Sequence, residues 1–243
     1  MPRRKLHVYP DVPDLLNATA DFLRDKINKV LSTKEHCNIA LSGGNTPRSL
    51  YALIAGDPYR KEIAWDRLQF FFGDERFVPH DHPDSNFRMA RESLFEPAGV
   101  DMKNVFPVST SMPPHQAAIE YEKTIKAQLE TGTFDIILLG LGDDAHTASL
   151  FPRNDVLEER SSWVKEVYVV SLKAWRITFT VPLINTAQTV VFLAHGASKA
   201  PAVHRVLEGK QDPKSYPAQY VAPDKGEVHW YLDGEAAAKI SSL

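Results

Sequence analysis

The sequence predicts an α/β fold with a mostly parallel sheet and helices on both of its faces. Short apolar runs alternate along the chain with segments of helical periodicity. In residues 134–139 every residue except Asp135 is apolar, so the run lacks the alternation of apolar and polar residues that marks a half-exposed strand. Such a run suits a strand that is covered on both faces, and strands that alternate with helices favour βαβ units.

The individual elements follow from the hydrophobic pattern. Apolar side chains fall on one helical stripe over residues 12–32, and a second amphipathic helix is predicted over residues 114–130. Strands are predicted at residues 38–41, 68–72, 134–139, 167–170, 189–194 and 229–232. Residues 209–226 contain three prolines and form a long irregular connection, a kind of segment that is often functional or mobile. Because no linker or repeat divides the sequence, residues 1–243 are expected to form a single domain.

The composition is that of an ordinary globular enzyme rather than a nucleic-acid or membrane protein. The chain has 243 residues, of which 43% are hydrophobic, enough for one large core. The net charge of −3 gives no overall attraction to nucleic acid or anionic membranes, so local groups must bind any phosphate. The single cysteine, Cys37, is typical of a reducing compartment. Without a signal-peptide core or a spanning segment, a cytoplasmic location is expected.

The first of three polar loops after predicted strands contains a pair of glycines. Gly43 and Gly44 follow Ser42 and allow a ligand to approach the backbone closely. Thr46 as a helix cap and Pro47 as the first helical residue predict a helix N-terminus there. The loop is either a cradle for an anion or sugar, or a plain glycine turn. Because the lysine of a P-loop is missing, nucleoside triphosphate binding is not expected.

The second loop begins with Asp74, Glu75 and Arg76 directly after an apolar strand. Charges packed at such a position either contact a substrate, or pair with each other as Asp74 and Arg76 to hold the loop. The loop also contains four residues of metal-ligating type, His80, Asp81, His82 and Asp84. Their spacing lacks a helical pair of histidines and a separate third ligand, so a solvated loop is favoured and no metal site is predicted.

The third loop leads from the most apolar strand through a glycine turn to His146. Its imidazole exchanges protons near neutral pH, and a helix predicted to begin at His146 would offer free N–H groups to an anion. The turn also fits the dinucleotide fingerprint G-x-G-x-x-G/A. Asp143 and Asp144 lie where a pyrophosphate would bind, and the next strand lacks the ribose-binding acid, so no dinucleotide cofactor is expected. A histidine at a helix start without chemistry is the alternative.

Together the three loops resemble the 6-phosphogluconolactonases of the oxidative pentose phosphate pathway. The matching segments are residues 41–47, 73–79, 85–86, 138–143 and 146–152, with weaker matches at residues 176–178 and 196–199. The resemblance implies a three-layer, Rossmann-like α/β fold, similar to that of the glucosamine-6-phosphate deaminases. It also implies hydrolysis of 6-phospho-D-glucono-1,5-lactone to 6-phospho-D-gluconate. One residue departs from the pattern, since Ala145 stands where the family usually has glycine, and a positive φ would strain it.

The chemistry of lactone opening gives roles to the matching residues. A δ-lactone is an activated ester, so its opening needs a base, a stabilised oxyanion and a proton donor, but neither metal nor cofactor. His146 is expected to be the general base, and Arg76 to stabilise the oxyanion or orient the substrate. Asp74 would hold sugar hydroxyls or position His146 or Arg76. The resemblance implies that Arg176 and Lys199 bind the 6-phosphate. The full set of substrate-binding candidates is Ser42, Gly43, Gly44, Asn45, Thr46, Arg176 and Lys199.

Two other functions remain open on the same scaffold. One is a glucosamine-6-phosphate deaminase or isomerase, although Arg76 and the Thr147-Ala148-Ser149-Leu150 segment follow the lactonase pattern. The other is a non-catalytic sugar-phosphate sensor, which the intact set of His146, Arg76 and Asp74 disfavours. The expected partner is a small sugar-phosphate lactone, with no nucleic acid and no membrane, and the protein is expected to be a monomer or a weak homo-oligomer.

Overall fold

A computed structural model describes residues 3–129 and 131–241 as a parallel sheet, covered by helices, beside a small antiparallel sheet. The strands are β1 (Arg3–Tyr9), β2 (Cys37–Leu41), β3 (Leu68–Phe72), β4 (Asp74–Arg76), β5 (Ile136–Leu139), β6 (Val164–Val169), β7 (Ala174–Phe179), β8 (Thr189–Ala194) and β9 (Glu227–Asp233). The large sheet has the order β1-β9-β8-β5-β2-β3, and each neighbouring pair is parallel. The small sheet has the order β4-β7-β6 and is antiparallel.

The helices connect these strands as the alternating pattern predicts. They are α1 (Val12–Leu31), α2 (Asn45–Ile54), α3 (Tyr59–Glu62), α4 (Asn86–Ala90), α5 (Glu96–Ala98), α6 (Pro114–Gln128), α7 (Val181–Ile184), α8 (Ala200–Leu207) and α9 (Gly234–Ala237). Helix α1 begins where the Asp11 side chain accepts a hydrogen bond from the Asp14 N–H at 2.9 Å. A π-helical turn, Arg91–Phe95, joins α4 to α5.

Consecutive residues of the central strands pack into two different hydrophobic cores. In β5, Ile136 and Leu138 join the core that contains residues of α1 and α2, whereas Ile137 and Leu139 join the core that contains residues of α6 and α8. All four side chains are at most 5% exposed. Alternate residues of a strand point to opposite faces, so the sheet is covered on both sides. This is the physical reason for the continuous apolar run in the sequence.

The parallel arrangement brings four strand ends to the same edge of the sheet. The neighbours β3, β2, β5 and β8 all run in one direction, so the loops that leave their carboxyl ends meet there. Ligands in open α/β sheets bind at this edge. The three polar loops of the sequence therefore converge on one place.

The structure confirms the predicted α/β class and corrects one strand. Residues 167–170 were predicted as one strand of a mostly parallel sheet, whereas β6 pairs antiparallel with β7 in the small sheet. A short 3₁₀ turn, Val170–Leu172, and Lys173 at a φ of 49° join the two strands as a hairpin. A connection this short can join only antiparallel strands.

The predicted helices are present with small changes of length. The first ends at Leu31, and the second is observed over Pro114–Gln128. The predicted end of the second helix, Glu130, lies outside the described residues. Within residues 3–129 and 131–241, no helix is long and apolar enough to cross a membrane.

Candidate active site

A cavity of about 610 Å³ lies where the loops after β2, β3 and β5 meet. It is bordered by most of the residues predicted from the sequence, namely Ser42, Gly43, Gly44, Asp74, Arg76, His146, Arg176 and Lys199. Asn45 and Thr46, the other two candidates, lie in the first turn of α2 and are not part of the lining. Residues 209–226 contribute nothing to the lining either.

The imidazole of His146 is held through one ring nitrogen and is free at the other. Its Nδ1 lies 2.6 Å from Asp144 Oδ1, and the same oxygen accepts the His146 backbone N–H at 3.1 Å. The ring stacks on Phe151 with the centroids 4.2 Å apart. Among the described residues, none hydrogen-bonds to Nε2. A carboxylate at Nδ1 favours a proton on that nitrogen and leaves the Nε2 lone pair available as a base.

The segment before and after His146 is a series of tight turns and not a helix. The prediction that His146 begins a helix is therefore wrong, and so is the expected helical N–H anion site. Ala145 and Ala148 have φ values of 64° and 47°, which a right-handed helix excludes. Ala145 is also fixed through its carbonyl, which accepts the Ala218 N–H at 3.0 Å. The strained alanine anticipated from the sequence is thus observed.

Gly142 allows this turn to fold back onto the histidine. A Cβ at Gly142 would overlap the imidazole Nδ1 of His146 and the carboxylate of Asp144. The Gly142 N–H also donates to the His146 carbonyl at 2.8 Å. Any larger residue at this position would push the imidazole away from Asp144.

The glycine loop after β2 brings backbone atoms to the cavity. The phenol of Tyr51, which is fully buried, accepts the Ser42 N–H and donates to the Ser42 carbonyl, both at 2.9 Å. Helix α2 begins directly after Gly44, whose φ is 106°, so Pro47 is the third helical residue and not the first. Thr46 is consequently not the cap, which corrects the sequence prediction. A glycine can adopt this φ without strain and takes the cap position instead.

Asp74 belongs to a buried polar network beneath the cavity. Its Oδ2 accepts a hydrogen bond from Ser149 Oγ at 2.7 Å, and its carbonyl accepts one from Asn86 Nδ2 at 2.8 Å. Arg76 Nη1 instead donates to the Asp84 carbonyl at 2.7 Å. Asp74 therefore pairs with neither Arg76 nor His146, and the side chain that holds His146 is Asp144.

Glu75 is a structural member of the same loop. Its carboxylate is fully buried and accepts the backbone N–H groups of Arg76, Asn86 and Phe87 at 2.7 to 2.8 Å. Burial raises the pKa of Glu75, although these hydrogen bonds oppose the rise. Glu75 thus anchors the loop on which Arg76 lies, without lining the cavity.

Three basic side chains border the cavity. Arg76 and Arg176 lie opposite each other in the β4–β7 pair. Burial, and then the nearby charge of Arg76, lower the pKa of Arg176. Lys199 donates to Asp143 Oδ1 at 2.6 Å, and this hydrogen bond is the main cause of the lowered pKa of Asp143. Two like charges on facing strands repel each other, and an anion between them would remove the repulsion.

Comparison with known proteins agrees with this geometry. The family described as glucosamine-6-phosphate isomerases/6-phosphogluconolactonase matches residues 10–230, which is most of the chain. The chain belongs to this family.

Individual members of the family align over nearly the full length. The 6-phosphogluconolactonase of Nostoc sp. is 37% identical over 247 residues, covering 98% of this chain and 99% of the relative. That of Synechocystis sp. is 42% identical over 223 residues, covering 88% and 89%. The solved 6-phosphogluconolactonase of Trypanosoma brucei superposes with a TM-score of 0.87 at 31% identity, covering 99% of this chain and 100% of that one. The lactonase-like fold implied by the sequence is therefore confirmed.

For this member of the 6-phosphogluconolactonase family, sequence reasoning missed several site residues. From the sequence alone Asp144 has no role beyond repelling a pyrophosphate, although its spacing of two residues before His146 is typical of an Asx turn. Ser149 and Asn86 lie in segments that match the family, but the sequence gives neither a role. No pattern in the sequence indicates their contacts with Asp74, because those contacts join residues 12 and 75 positions apart.

The two histidines of the loop after β4 contact backbone groups, one within the loop and one in a distant segment. His80 Nε2 lies 2.7 Å from the Val108 carbonyl, and His82 Nδ1 accepts the Asp84 N–H at 3.1 Å. Over the described ranges, no three His, Cys, Asp or Glu side chains are grouped closely enough to hold a metal ion. These two contacts give the histidines a structural role in the loop.

Proposed function

We propose that the protein hydrolyses 6-phospho-D-glucono-1,5-lactone to 6-phospho-D-gluconate, as the names of its relatives describe for them. The observation that carries the proposal is the Asp144–His146 pair, which exposes a free imidazole nitrogen to a cavity bordered by Arg76, Arg176 and Lys199. A base and an anion-binding wall in one cavity suit a substrate that combines an ester carbonyl with a phosphate.

In the proposed reaction, His146 Nε2 takes a proton from a water molecule as the water oxygen bonds to the lactone carbonyl carbon. The carbonyl π electrons move to its oxygen, and the resulting oxyanion is stabilised by Arg76 and by N–H groups of the glycine loop. When the carbon–ring oxygen bond breaks, the imidazolium returns its proton to the ring oxygen. The carboxylic acid formed then loses its own proton to solvent. General acid–base assistance of this kind contributes roughly 10²- to 10⁴-fold.

Asp144 would support both halves of this cycle. As a carboxylate at Nδ1 it selects the tautomer that can accept a proton at Nε2, and it stabilises the imidazolium formed afterwards. Because the lactone is an activated ester, the reaction as proposed uses neither a metal nor a cofactor.

The remaining candidates would bind the substrate. Asp74 faces the cavity with a carboxylate suited to sugar hydroxyls, and the Ser42 hydroxyl and the backbone at Gly43 and Gly44 offer further polar groups. Arg176 and Lys199 would receive the 6-phosphate, for which Lys199 exchanges its contact with Asp143. Asn45 and Thr46, in the first turn of α2, would act through their backbone only.

One pair of assays separates this function from the two alternatives. Fresh 6-phosphogluconolactone is supplied at slightly acidic pH, where spontaneous opening is slow, and acid release is followed. Ammonia release from glucosamine 6-phosphate is measured in parallel. Acceleration in the first assay only is the expected result. Ammonia release would instead indicate a deaminase, and silence in both assays with measurable ligand binding would indicate a sensor.

The proposal extends to the setting of the enzyme. Its partner is a small sugar-phosphate lactone, without nucleic acid or membrane, in the cytoplasm. The protein acts as a monomer or a weak homo-oligomer, which light scattering on the purified protein will test.

A further inference from the structure

Asn86 lies beneath the cavity, between two loops that border it. It is the first residue of α4 and is only 2% exposed. Its Nδ2 donates to the Asp74 carbonyl at 2.8 Å and lies 3.4 Å from Asp74 Oδ1. The side chain does not line the cavity, so it would not touch a bound substrate.

The other end of the same amide lies against the glycine loop. A Cβ at Gly43 would overlap the Oδ1, Cγ and Nδ2 atoms of Asn86. The absence of a side chain at Gly43 is therefore what allows Asn86 to reach this position. The φ of Gly43 is not in the left-handed region, so this overlap, and not backbone strain, is the barrier to a larger residue.

The orientation of the amide is determined by its neighbours. Asn86 Oδ1 is buried and has no hydrogen-bond donor among the described residues. Exchanging the two ends would bring Oδ1 against the Asp74 carbonyl and carboxylate, which cannot donate. A buried acceptor without a donor is unfavourable and rare, so its presence between two site loops calls for an explanation.

The backbone of Asn86 is fixed as well. Its N–H donates to Glu75 Oε1 at 2.7 Å, and the next N–H, of Phe87, donates to Glu75 Oε2 at 2.8 Å. These bonds to the fully buried Glu75 fix the backbone from which the Asn86 side chain extends toward Gly43.

Asp74 also contacts the turn that contains His146. Ser149 Oγ donates to Asp74 Oδ2 at 2.7 Å, and the Ser149 N–H donates to Thr178 Oγ1 at 3.1 Å. Ser149 is three residues from His146 in the sequence. Asn86 therefore lies between the glycine loop and Asp74. Through Asp74 and Ser149 it is connected to the turn that contains His146.

We propose that Asn86 is a positioning residue, whose amide sets the spacing between the Gly43 backbone and the Asp74 carboxylate. Both groups face the cavity, so this spacing sets where the lactone carbonyl lies relative to His146. The inference rests on the proposed lactone hydrolysis. A displacement of about 1 Å at such a distance from the chemistry can reduce the rate about 10²-fold.

The first test replaces the amide by a group of the same size. In Asn86→Asp an oxygen faces the Asp74 carbonyl in place of the donor, and Asn86→Ala removes both ends. We expect kcat for the lactone to fall about 10- to 100-fold, while KM, set mainly by the phosphate contacts, changes less than about threefold. The matched control is Asn104→Asp, since Asn104 is also buried and its Nδ2 donates to the Asp66 carbonyl at 3.1 Å. It is expected to lower the unfolding midpoint and leave kcat unchanged.

The second test uses the contact between Gly43 and Asn86. Gly43→Ala should lower the unfolding midpoint strongly in the wild-type background and only slightly in the Asn86→Ala background, where the overlap is gone. The kcat should not follow the unfolding midpoint. It should stay low in the Gly43→Ala, Asn86→Ala double variant, although the overlap between the two residues is removed there. A purely structural role would instead let kcat recover together with the midpoint.

Two results would overturn the inference. One is a kcat of folded Asn86→Asp or Asn86→Ala within about twofold of the wild-type value. The other is a fall in kcat that the control Asn104→Asp shows to the same extent at a comparable loss of unfolding midpoint. If the wild-type protein itself does not open the lactone, the proposed function fails, and the role of Asn86 in it fails too. The wild-type assay therefore distinguishes the two failures.

Discussion

Asp144 and His146 are two residues apart, and this spacing places the carboxylate where it can select the tautomer of the imidazole. The Asp144 carboxylate accepts the His146 backbone N–H at 3.1 Å and lies 2.6 Å from the imidazole Nδ1. The contact is partly open to water, since the Asp144 side chain is 49% exposed and that of His146 is 29% exposed. Solvent weakens such a pair, so its main effect is on tautomer and orientation, and less on charge.

Replacement of Asp144 by asparagine tests this effect. The amide can donate to Nδ1, which favours a proton on Nε2 and removes the base. We expect kcat for the lactone to fall about 10- to 100-fold with KM nearly unchanged. The control is Asp101→Asn, because Asp101 Oδ1 accepts the Lys103 N–H at 3.0 Å in the same local geometry, remote from the cavity. Equal kcat values for Asp144→Asn and wild type would contradict the role of the pair.

Arg176 and Lys199 are the residues expected to recognise the phosphate. Neutral Arg176→Gln and Lys199→Gln should each raise KM for the lactone about tenfold, the effect of losing one charge-assisted hydrogen bond. The change in kcat should be smaller. Arg160→Gln, which alters an arginine bound to the Leu157 carbonyl outside the site, is the control. Unchanged KM values in both site variants would refute the assignment.

At the level of elements, the turn after β5 contains a buried alanine in an unfavourable conformation. Ala145 has a φ of 64° and is 1% exposed. The left-handed conformation costs an alanine about 1–2 kcal/mol. Burial of the alanine methyl group stabilises the folded state by about 0.8 kcal/mol. A glycine here would destabilise the folded state by about 0.5–1 kcal/mol, because its unfolded chain has more conformational freedom to lose. The terms nearly cancel, so alanine is tolerated where the family usually has glycine.

We therefore expect Ala145→Gly to change the free energy of unfolding by less than about 1 kcal/mol. Ala145→Val should be destabilised by more than about 2 kcal/mol, since a branched side chain is disfavoured at this φ and the site is full. Urea unfolding measures both. A valine variant as stable as wild type would show that the turn is not held in this conformation.

The contact between α1, β1 and β9 makes stability depend on pH. Glu227 accepts hydrogen bonds from Lys5 and Lys26 at 2.8 and 2.9 Å. Partial burial raises its pKa, but the two lysines outweigh this and lower the pKa from 4.5 to about 2. A carboxyl with a lowered pKa stabilises the folded state above its ordinary pKa, and the effect is lost as the pH falls toward the folded value.

The free energy of unfolding of the wild-type protein should therefore exceed that of the Glu227→Gln variant by about 1 kcal/mol at pH 7. The difference should narrow from pH 4.5 toward pH 2. Urea titrations between pH 7 and pH 3 measure it, with Glu120→Gln as the control for an exposed glutamate that pairs with Lys123. A difference that grows as the pH falls would contradict the sign.

The elements that the sequence predicted are those whose pattern reflects burial on both faces. β2, β3, β5, β8 and β9 are mainly apolar and were found at or within two residues of their predicted ends. β1, β4 and β7 were not predicted, and β4 has no apolar pattern because its three residues, Asp74, Glu75 and Arg76, are all charged. The helix expected at His146 was wrong because contacts from distant residues, such as the Ala218 N–H on the Ala145 carbonyl, determine the turn.

For the whole molecule, the parallel sheet converts separate sequence motifs into one site. Each of the three loops followed a recognisable strand, so their meeting at the carboxyl edge was predictable from fold class alone. The buried links among Asn86, Asp74 and Ser149 were not, because they depend on side-chain packing between elements far apart in sequence. That residues 1–243 form one domain stays a prediction. Two cores that share one sheet support it.

The account as a whole depends on His146 acting as the general base. The most direct test measures the initial rate of 6-phosphogluconolactone opening by wild type and His146→Ala at slightly acidic pH, after subtraction of the spontaneous rate. Unfolding midpoints of both proteins are recorded, since the ring also stacks on Phe151. We expect a folded variant whose kcat is about 10²- to 10⁴-fold lower. A folded His146→Ala protein that opens the lactone at nearly the wild-type rate would contradict the central claim.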